Sequence, residues 1–136
     1  MTLSRGVFLI VCAAFAFQPA QAESLVMDTP TAIGGIETVC TGVSLDARQN
    51  PRWNAYSLKV EIAGEGGKYL GSEAVTLRQD GKIVADFDCG GPWVLFQLPP
   101  GRYEVEARIG EQTASSAAFV PSEGQGRIIL RFAVSN

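Results

Sequence analysis

Histidine, the residue type most often used in general acid–base catalysis, is absent from the 136 residues of this sequence. Without histidine, the Ser-His-Asp and Cys-His arrangements of nucleophilic catalysis are impossible. Carboxylates remain, in two i, i+2 pairs: Asp86 with Asp88, and Glu104 with Glu106. Paired carboxylates can hydrolyse glycosides, but charges two residues apart on the outward face of a strand normally form a solvated surface. We therefore predict a non-catalytic protein, with a carboxylate-only hydrolase as an alternative.

The sequence also gives little support for a metal site. Asp80, Asp86 and Asp88 suggest calcium by residue type, but their spacing fits no established calcium loop. Two cysteines without a histidine do not complete an ordinary zinc site unless carboxylates assist. We predict no metal and no cofactor.

Aromatic residues beside polar ones are the remaining candidates for ligand or partner contact. Trp53 lies next to Arg52 in a polar loop that has no strand periodicity, and Tyr69 follows a glycine-rich turn. Arg52, Trp53 and Tyr69 are therefore the predicted contact surface. The alternative for Trp53 is a lid on one open end of the fold. Trp93 begins an apolar strand, which favours a role in core packing.

The first twenty-two residues have the features of a cleavable signal peptide. A leader with one positive charge, Arg5, precedes an apolar run of about twelve residues, and Ala20 and Ala22 give the A-x-A cleavage pattern. The run is too short for a membrane anchor, which needs roughly twenty residues. A lipoprotein is disfavoured because Val11 is bulky and Cys12 lies inside the apolar run. We predict cleavage after Ala22 and a periplasmic mature form that does not span the membrane.

Cleavage would leave two cysteines, Cys40 and Cys89, and an even count in an exported chain predicts a disulfide. Loss of Arg5 would change the net charge from -3 to -4, with ten basic against fourteen acidic residues. The sequence has no basic block to neutralise phosphates, which argues against nucleic acid as a partner.

Residues 23–52 have no sustained periodicity and are predicted to be an irregular N-terminal segment, with one helical turn capped by Ser44. From residue 53 onward, alternating apolar and polar residues predict a β-domain that extends to residue 136. Asp80-Gly81 is a strong hairpin signal. Residues 93–98 are apolar on both faces, which is typical of a strand in the centre of a layer.

About seven short strands with turn signals between them predict an all-β, antiparallel β-sandwich, with a small barrel as the alternative. The predicted core comprises Tyr56, Leu58, Val60, Leu77, Ile83, Phe87, Trp93, Leu95, Tyr103, Val105, Ile128, Leu130 and Phe132.

The stretch from Leu98 to Val105, LPPGRYEV, resembles the L-P-x-G-x-Y-x-V element of carboxypeptidase-regulatory-like and other prealbumin-like domains. Further upstream, the chain from Tyr56 to Trp93 is similar to successive elements of an uncharacterised proteobacterial periplasmic family. The resemblance implies a seven-stranded prealbumin-like sandwich in the periplasm. It implies no activity, because such domains are mostly accessory folds.

These observations favour an accessory domain that contacts a protein partner in the cell envelope. A small-molecule or glycan-binding module is the first alternative and would need a concave site. A hydrolase that uses carboxylates alone is the second.

Overall fold

The computed structural model describes Gly6, Ile10 and residues 23–133. Apart from Gly6 and Ile10, the predicted leader lies outside the described residues, as does its cleavage site. The described part of the chain is mostly strand. In chain order the strands are β1 (Glu23–Ser24), β2 (Thr31–Ile33), β3 (Ile36–Thr41), β4 (Leu58–Ala63), β5 (Glu73–Gln79), β6 (Lys82–Cys89), β7 (Trp93–Phe96), β8 (Gly101–Ile109), β9 (Gln112–Val120) and β10 (Gly126–Arg131).

Helical structure is confined to short segments. The predicted helical turn is present as α1 (Leu45–Arg48), and the Ser44 hydroxyl accepts a hydrogen bond from the Ala47 amide at 3.0 Å. Two 3₁₀ turns follow, at Pro51–Ala55 and Glu65–Gly67. Within the described residues, no helix has the length and apolarity needed to cross a bilayer.

The strands form two five-stranded sheets that pack as a β-sandwich. The first sheet has the order β1-β6-β5-β8-β9 and the second has the order β10-β4-β7-β3-β2. The all-β prediction is confirmed, but the prediction of seven antiparallel strands is wrong. Both sheets are mixed, because β1 runs parallel to β6 and β10 runs parallel to β4.

The segment predicted to be irregular supplies three of these strands. The turn between β2 and β3 is Gly34-Gly35, and both glycines have positive φ (59° and 79°) as a tight hairpin requires. Residues 38–41 of β3 pair with β7, with Cys40 opposite Val94. Leu25 is buried, and its amide donates to the Asp88 carbonyl at 3.0 Å. Residues 23–52 are therefore integrated into the sandwich.

Most of the predicted core is buried, with two exceptions. Ile83 is 58% exposed, because the β5–β6 ladder shifts register there: Leu77 pairs with Ala85, but Arg78 pairs with Ile83. The extra residue, Val84, forms a bulge that turns Ile83 to the outer face. Ile128 is half-buried and packs against the core from β10.

Strand β7 is the middle strand of its sheet, as its two apolar faces predicted. Val94 and Phe96 lie in the core between the sheets, whereas Leu95 belongs to a second cluster with Val39, Trp53 and Tyr56. Because Leu95 and Val39 are opposite each other in the sheet and point away from the first cluster, the second cluster covers the outer face of the second sheet.

The predicted disulfide between Cys40 and Cys89 is present, with 5.6 Å between the two Cα atoms. Cys40 lies in β3 and Cys89 ends β6, so this bond joins the two sheets.

Candidate functional site

The outer face of the second sheet carries a cluster of charged and aromatic side chains where β10, β4 and β7 lie side by side. Lys59 and Glu61 alternate with the core residues of β4 and therefore point outward. Glu61 is paired with Trp93 of β7 and with Ile129 of β10. After the turn at Glu65–Gly67 the chain returns along β4, and the Leu70 amide donates to the Ile62 carbonyl at 3.1 Å. This return places Tyr69 over Glu61.

Glu61 is buried although it lies on the outward face of its strand, which the alternating pattern predicted to be wet. It is 2% exposed. The Tyr69 hydroxyl donates to Glu61 Oε1 at 2.9 Å, and Arg127 Nε donates to Oε2. The hydrogen bond to Glu61, together with the Glu61 charge, raises the pKa of the Arg127 guanidinium. The buried carboxylate therefore has a hydrogen bond on each oxygen and fixes Tyr69 and Arg127 in place.

Two aromatic rings and two cations stand next to this carboxylate. The Tyr69 ring meets the Trp93 ring edge-on, with centroids 6.1 Å apart. The Arg48 guanidinium lies over Tyr69 at 5.3 Å, and Lys59 Nζ lies over Trp93 at 4.2 Å. Both cations are within the distance at which the negative face of an aromatic ring attracts a positive charge.

Shallow hollows flank Tyr69 on two sides. One, of about 120 Å³, is lined by Glu61, Arg127, Ile129 and Arg131. The other, of about 340 Å³, is lined by Val43, Arg48 and Pro92. Tyr69 is 41% exposed between them, and Val43 is 65% exposed. We define the Tyr69 surface as Val43, Arg48, Lys59, Glu61, Tyr69, Trp93, Arg127 and Arg131.

Of the three residues predicted to form a contact surface, the structure places Tyr69 in this one. Trp53 is only 3% exposed, its Nε1 donates to the Ala47 carbonyl at 2.9 Å, and its ring meets Tyr56 edge-on. Arg52 is exposed, and its guanidinium lies over the Trp53 ring at 5.5 Å. Trp53 thus covers the outer face of the second sheet, with Arg52 above it.

The carboxylates considered for catalysis lie on the outer face of the first sheet. Asp86 and Asp88 are exposed, and the Thr76 hydroxyl donates to Asp86 at 3.2 Å. Glu106 is paired with Arg78 at 2.6 Å. Asp86 and Glu106 flank Thr76 in the register of the sheet, and the charges of Asp86, Glu104 and Glu106 all act on Arg78. Within residues 23–133 no three potential metal ligands are grouped together.

Sequence reasoning missed Arg48, Glu61, Arg127 and Arg131 as members of one site. They come from α1, β4 and β10, and only the parallel pairing of β10 with β4 brings the last two beside Glu61. The sequence contains no signal for that pairing, because alternation shows the face of a strand but not its neighbours.

A scan against protein-family models finds no match for this chain, and a search of curated proteins finds none either.

Proposed function

We propose that this chain is a non-catalytic accessory domain that binds an acidic segment of a protein partner through the Tyr69 surface. The observation that carries this proposal is the excess of cations around a half-exposed tyrosine. That surface contains four cations, Arg48, Lys59, Arg127 and Arg131, and one carboxylate, Glu61, each of whose oxygens already accepts a hydrogen bond.

Charge complementarity favours an acidic partner. The whole chain is acidic, with a net charge of -3. The Tyr69 surface, in which cations outnumber acids, therefore has the opposite sign of charge to the chain as a whole. Such patches steer oppositely charged partners and suppress wrong ones. Val43 and Leu45 are both exposed and add apolar area beside the cations. Protein–protein interfaces commonly combine an apolar centre with a polar rim in this way.

The same geometry disfavours the glycan-binding alternative. Sugars bind to proteins by stacking on an open aromatic face, but Arg48 lies over Tyr69 and Lys59 lies over Trp93. The two hollows beside Tyr69 are also shallow, whereas pockets for small ligands are concave and bury most of the ligand.

A periplasmic location is part of the proposal. The predicted leader supports export, and the disulfide between Cys40 and Cys89 is the kind of bond that persists in an oxidising compartment. The resemblance of residues 98–105 to prealbumin-like domains supports an accessory role, and Tyr103 of that element packs in the core, where its hydroxyl donates to the Pro99 carbonyl at 2.9 Å.

The test is a titration of the isotope-labelled protein with a capped oligoglutamate peptide, in which the NMR chemical shifts of the backbone amides are measured. We expect saturable shifts at the Tyr69 surface that weaken as salt is added. The double variant Arg48→Glu, Arg131→Glu should bind several-fold more weakly. Arg102→Glu is the matched control, because Arg102 is an exposed cation of the first sheet, over Phe119. Oligolysine should cause no saturable shift at the Tyr69 surface.

In cells, a photo-cross-linking amino acid that replaces Val43 should capture a protein partner. The same amino acid in place of Ile83, which is exposed on the first sheet, is the control and should not capture that partner. The captured protein should carry an acidic segment at the cross-linked site. Oligoglutamate shifts confined to the first sheet would contradict the proposal. So would hydrolysis of a cell-wall substrate that is lost on replacing Asp86 or Asp88.

A further inference from the structure

Residues 25–28 form a strap that runs from the first sheet to the second beside the disulfide. At its start, the Leu25 amide donates to the Asp88 carbonyl of β6 at 3.0 Å. At its end, the Asp28 amide donates to the Cys40 carbonyl of β3 at 2.8 Å. The strap therefore joins the same two strands that the disulfide joins.

Two apolar side chains of the strap face the sandwich. Leu25 is buried in the core, and Met27 is partly buried and packs against it. Val26, which lies between them, is 69% exposed. This alternation is that of an extended segment with one face on the protein. Met27 is therefore one of the two apolar anchors of the strap.

The Met27 thioether lies against the disulfide. Its Sδ is 3.4 Å from Cys40 Sγ. Its methyl group fits closely over Gly91, where an added Cβ would lie 2.6 Å from the Met27 Cε. Cys40 is 0% exposed and Cys89 is 1% exposed, whereas Met27 is partly exposed. A small molecule from solvent therefore reaches the thioether before it reaches the disulfide.

Oxidation would change the character of this contact. A methionine sulfoxide is polar, and its formation disrupts the apolar packing of the original side chain. A polar oxygen that is buried without a hydrogen-bond donor is unfavourable. The Gly91 N–H, which lies in this contact, already donates to Cys40 Sγ at 3.3 Å. The oxidised side chain should therefore turn outward to water and take the strap with it.

We propose that Met27 is an oxidation site whose sulfoxide releases the strap and opens the disulfide to thiols. The oxidant is a peroxide, which transfers one oxygen atom to Sδ: the sulfur loses two electrons, and hydrogen peroxide is reduced to water. Once the strap is released, a dithiol reduces the Cys40–Cys89 bond to two thiols and itself becomes a disulfide. A sulfoxide reductase, which removes the oxygen as water, would restore the thioether and the strap.

The test uses residues 23–136, the predicted mature form, with hydrogen peroxide as the oxidant. Met27 is the only methionine in this range, so a gain of one oxygen atom in its peptide, measured by mass spectrometry, assigns the site. We expect dithiothreitol to reduce the Cys40–Cys89 bond several-fold faster after oxidation.

Two variants separate the sulfur from its role as a cover. Met27→Leu keeps an apolar side chain but has no sulfur, so its disulfide should be reduced as slowly as that of the unoxidised wild type, with or without peroxide. Met27→Gln has a polar side chain and should be reduced several-fold faster without any peroxide.

Amide hydrogen exchange distinguishes release of the strap from a general loss of stability. On oxidation, exchange should accelerate at the Leu25 and Asp28 amides and stay unchanged in the β8–β9 ladder. The proposal is overturned if peroxide leaves Met27 unmodified under conditions that oxidise free methionine, or if the sulfoxide does not accelerate reduction of the disulfide. It is also overturned if Met27→Leu responds to peroxide as the wild type does, or if exchange accelerates equally in the β8–β9 ladder.

Discussion

At the scale of single residues, Glu61 and Glu73 show how differently a buried carboxyl group can be accommodated. Both are almost fully removed from solvent. Tyr69 donates to one oxygen of Glu61 and Arg127 donates to the other, whereas neither carboxyl oxygen of Glu73 has a hydrogen-bond partner among the described residues. Removing a charged group from water without such partners is strongly unfavourable. Glu61 is therefore part of a fixed ionic contact, and Glu73 is a group whose protonation responds to its surroundings.

Because the folded-state pKa of Glu73 is about 8 and its ordinary value is 4.5, the native state binds more protons than the unfolded state between these two pH values. The free energy of unfolding should therefore fall as pH rises from about 4.5 to about 8, by an amount on the order of 5 kcal/mol. Glu73→Gln should remove this part of the pH dependence. Urea denaturation at several pH values measures it, with Asp86→Asn as the control. Equal slopes for Glu73→Gln and wild type would contradict the expectation.

The contact between Glu61 and Arg127 makes a separate prediction. Arg127→Met removes a donor from a buried carboxylate and should lower the free energy of unfolding by about 1–3 kcal/mol. In Glu61→Gln the same arginine replacement should cost much less, because the charge that Arg127 compensates is gone. A double-mutant cycle by chemical denaturation gives the coupling energy. A coupling energy near zero would mean that the contact does not stabilise the fold.

At the scale of elements, the sequence predicted strands well where one pleated surface faces the core, as in β8. The prediction failed where the alternation of inward and outward side chains shifts by one residue within a strand. Ile83, Ala85 and Phe87 look like one face in the sequence, but the bulge at Val84 separates Ile83 from the other two. A bulge leaves no reliable trace in the apolar pattern. The inward orientation of Glu73, in contrast, could have been predicted from the sequence, because Glu73 alternates in step with the core residues Val75 and Leu77.

The bulge can be tested with two substitutions on β6. Ile83→Thr should change the free energy of unfolding by less than about 0.5 kcal/mol, because the side chain is on the surface. Phe87→Ala should lower it by about 3–5 kcal/mol, because Phe87 is fully buried and meets Phe96 edge-on. Thermal or chemical denaturation compares the two. A loss for Ile83→Thr near that of Phe87→Ala would place Ile83 back in the core.

At the scale of the whole molecule, the sandwich was predictable but its assembly was not. Alternation, the Asp80-Gly81 hairpin and the doubly apolar β7 were enough to predict layered sheets. They did not reveal that β10 pairs with β4, or that β3 pairs with β7, since both pairings join segments far apart in the chain. The Tyr69 surface depends on the first of these pairings. Tyr69 was therefore identified by residue type, while the cations around it were not.

The disulfide is a second feature of the whole molecule that was predicted from the sequence alone. Cys40 and Cys89 are 49 residues apart and lie in different sheets. Closing a loop of that length should stabilise the fold by about 4 kcal/mol through the entropy of the unfolded chain. Without the bond, β3 still has its ladder with β7, so we expect the double variant Cys40→Ala, Cys89→Ala to fold with its strands intact but with a lower unfolding free energy.

Mass spectrometry of the oxidised protein, before and after alkylation, verifies the bond. Circular dichroism and urea denaturation then compare the double variant with the wild type. The reduced wild type serves as the control, because it lacks the bond but keeps both sulfur atoms in place. If reduction and double replacement both leave the unfolding free energy unchanged, the bond does not hold the sheets together. In that case hydrophobic packing between the sheets, around Phe87 and Phe96, is sufficient to join them.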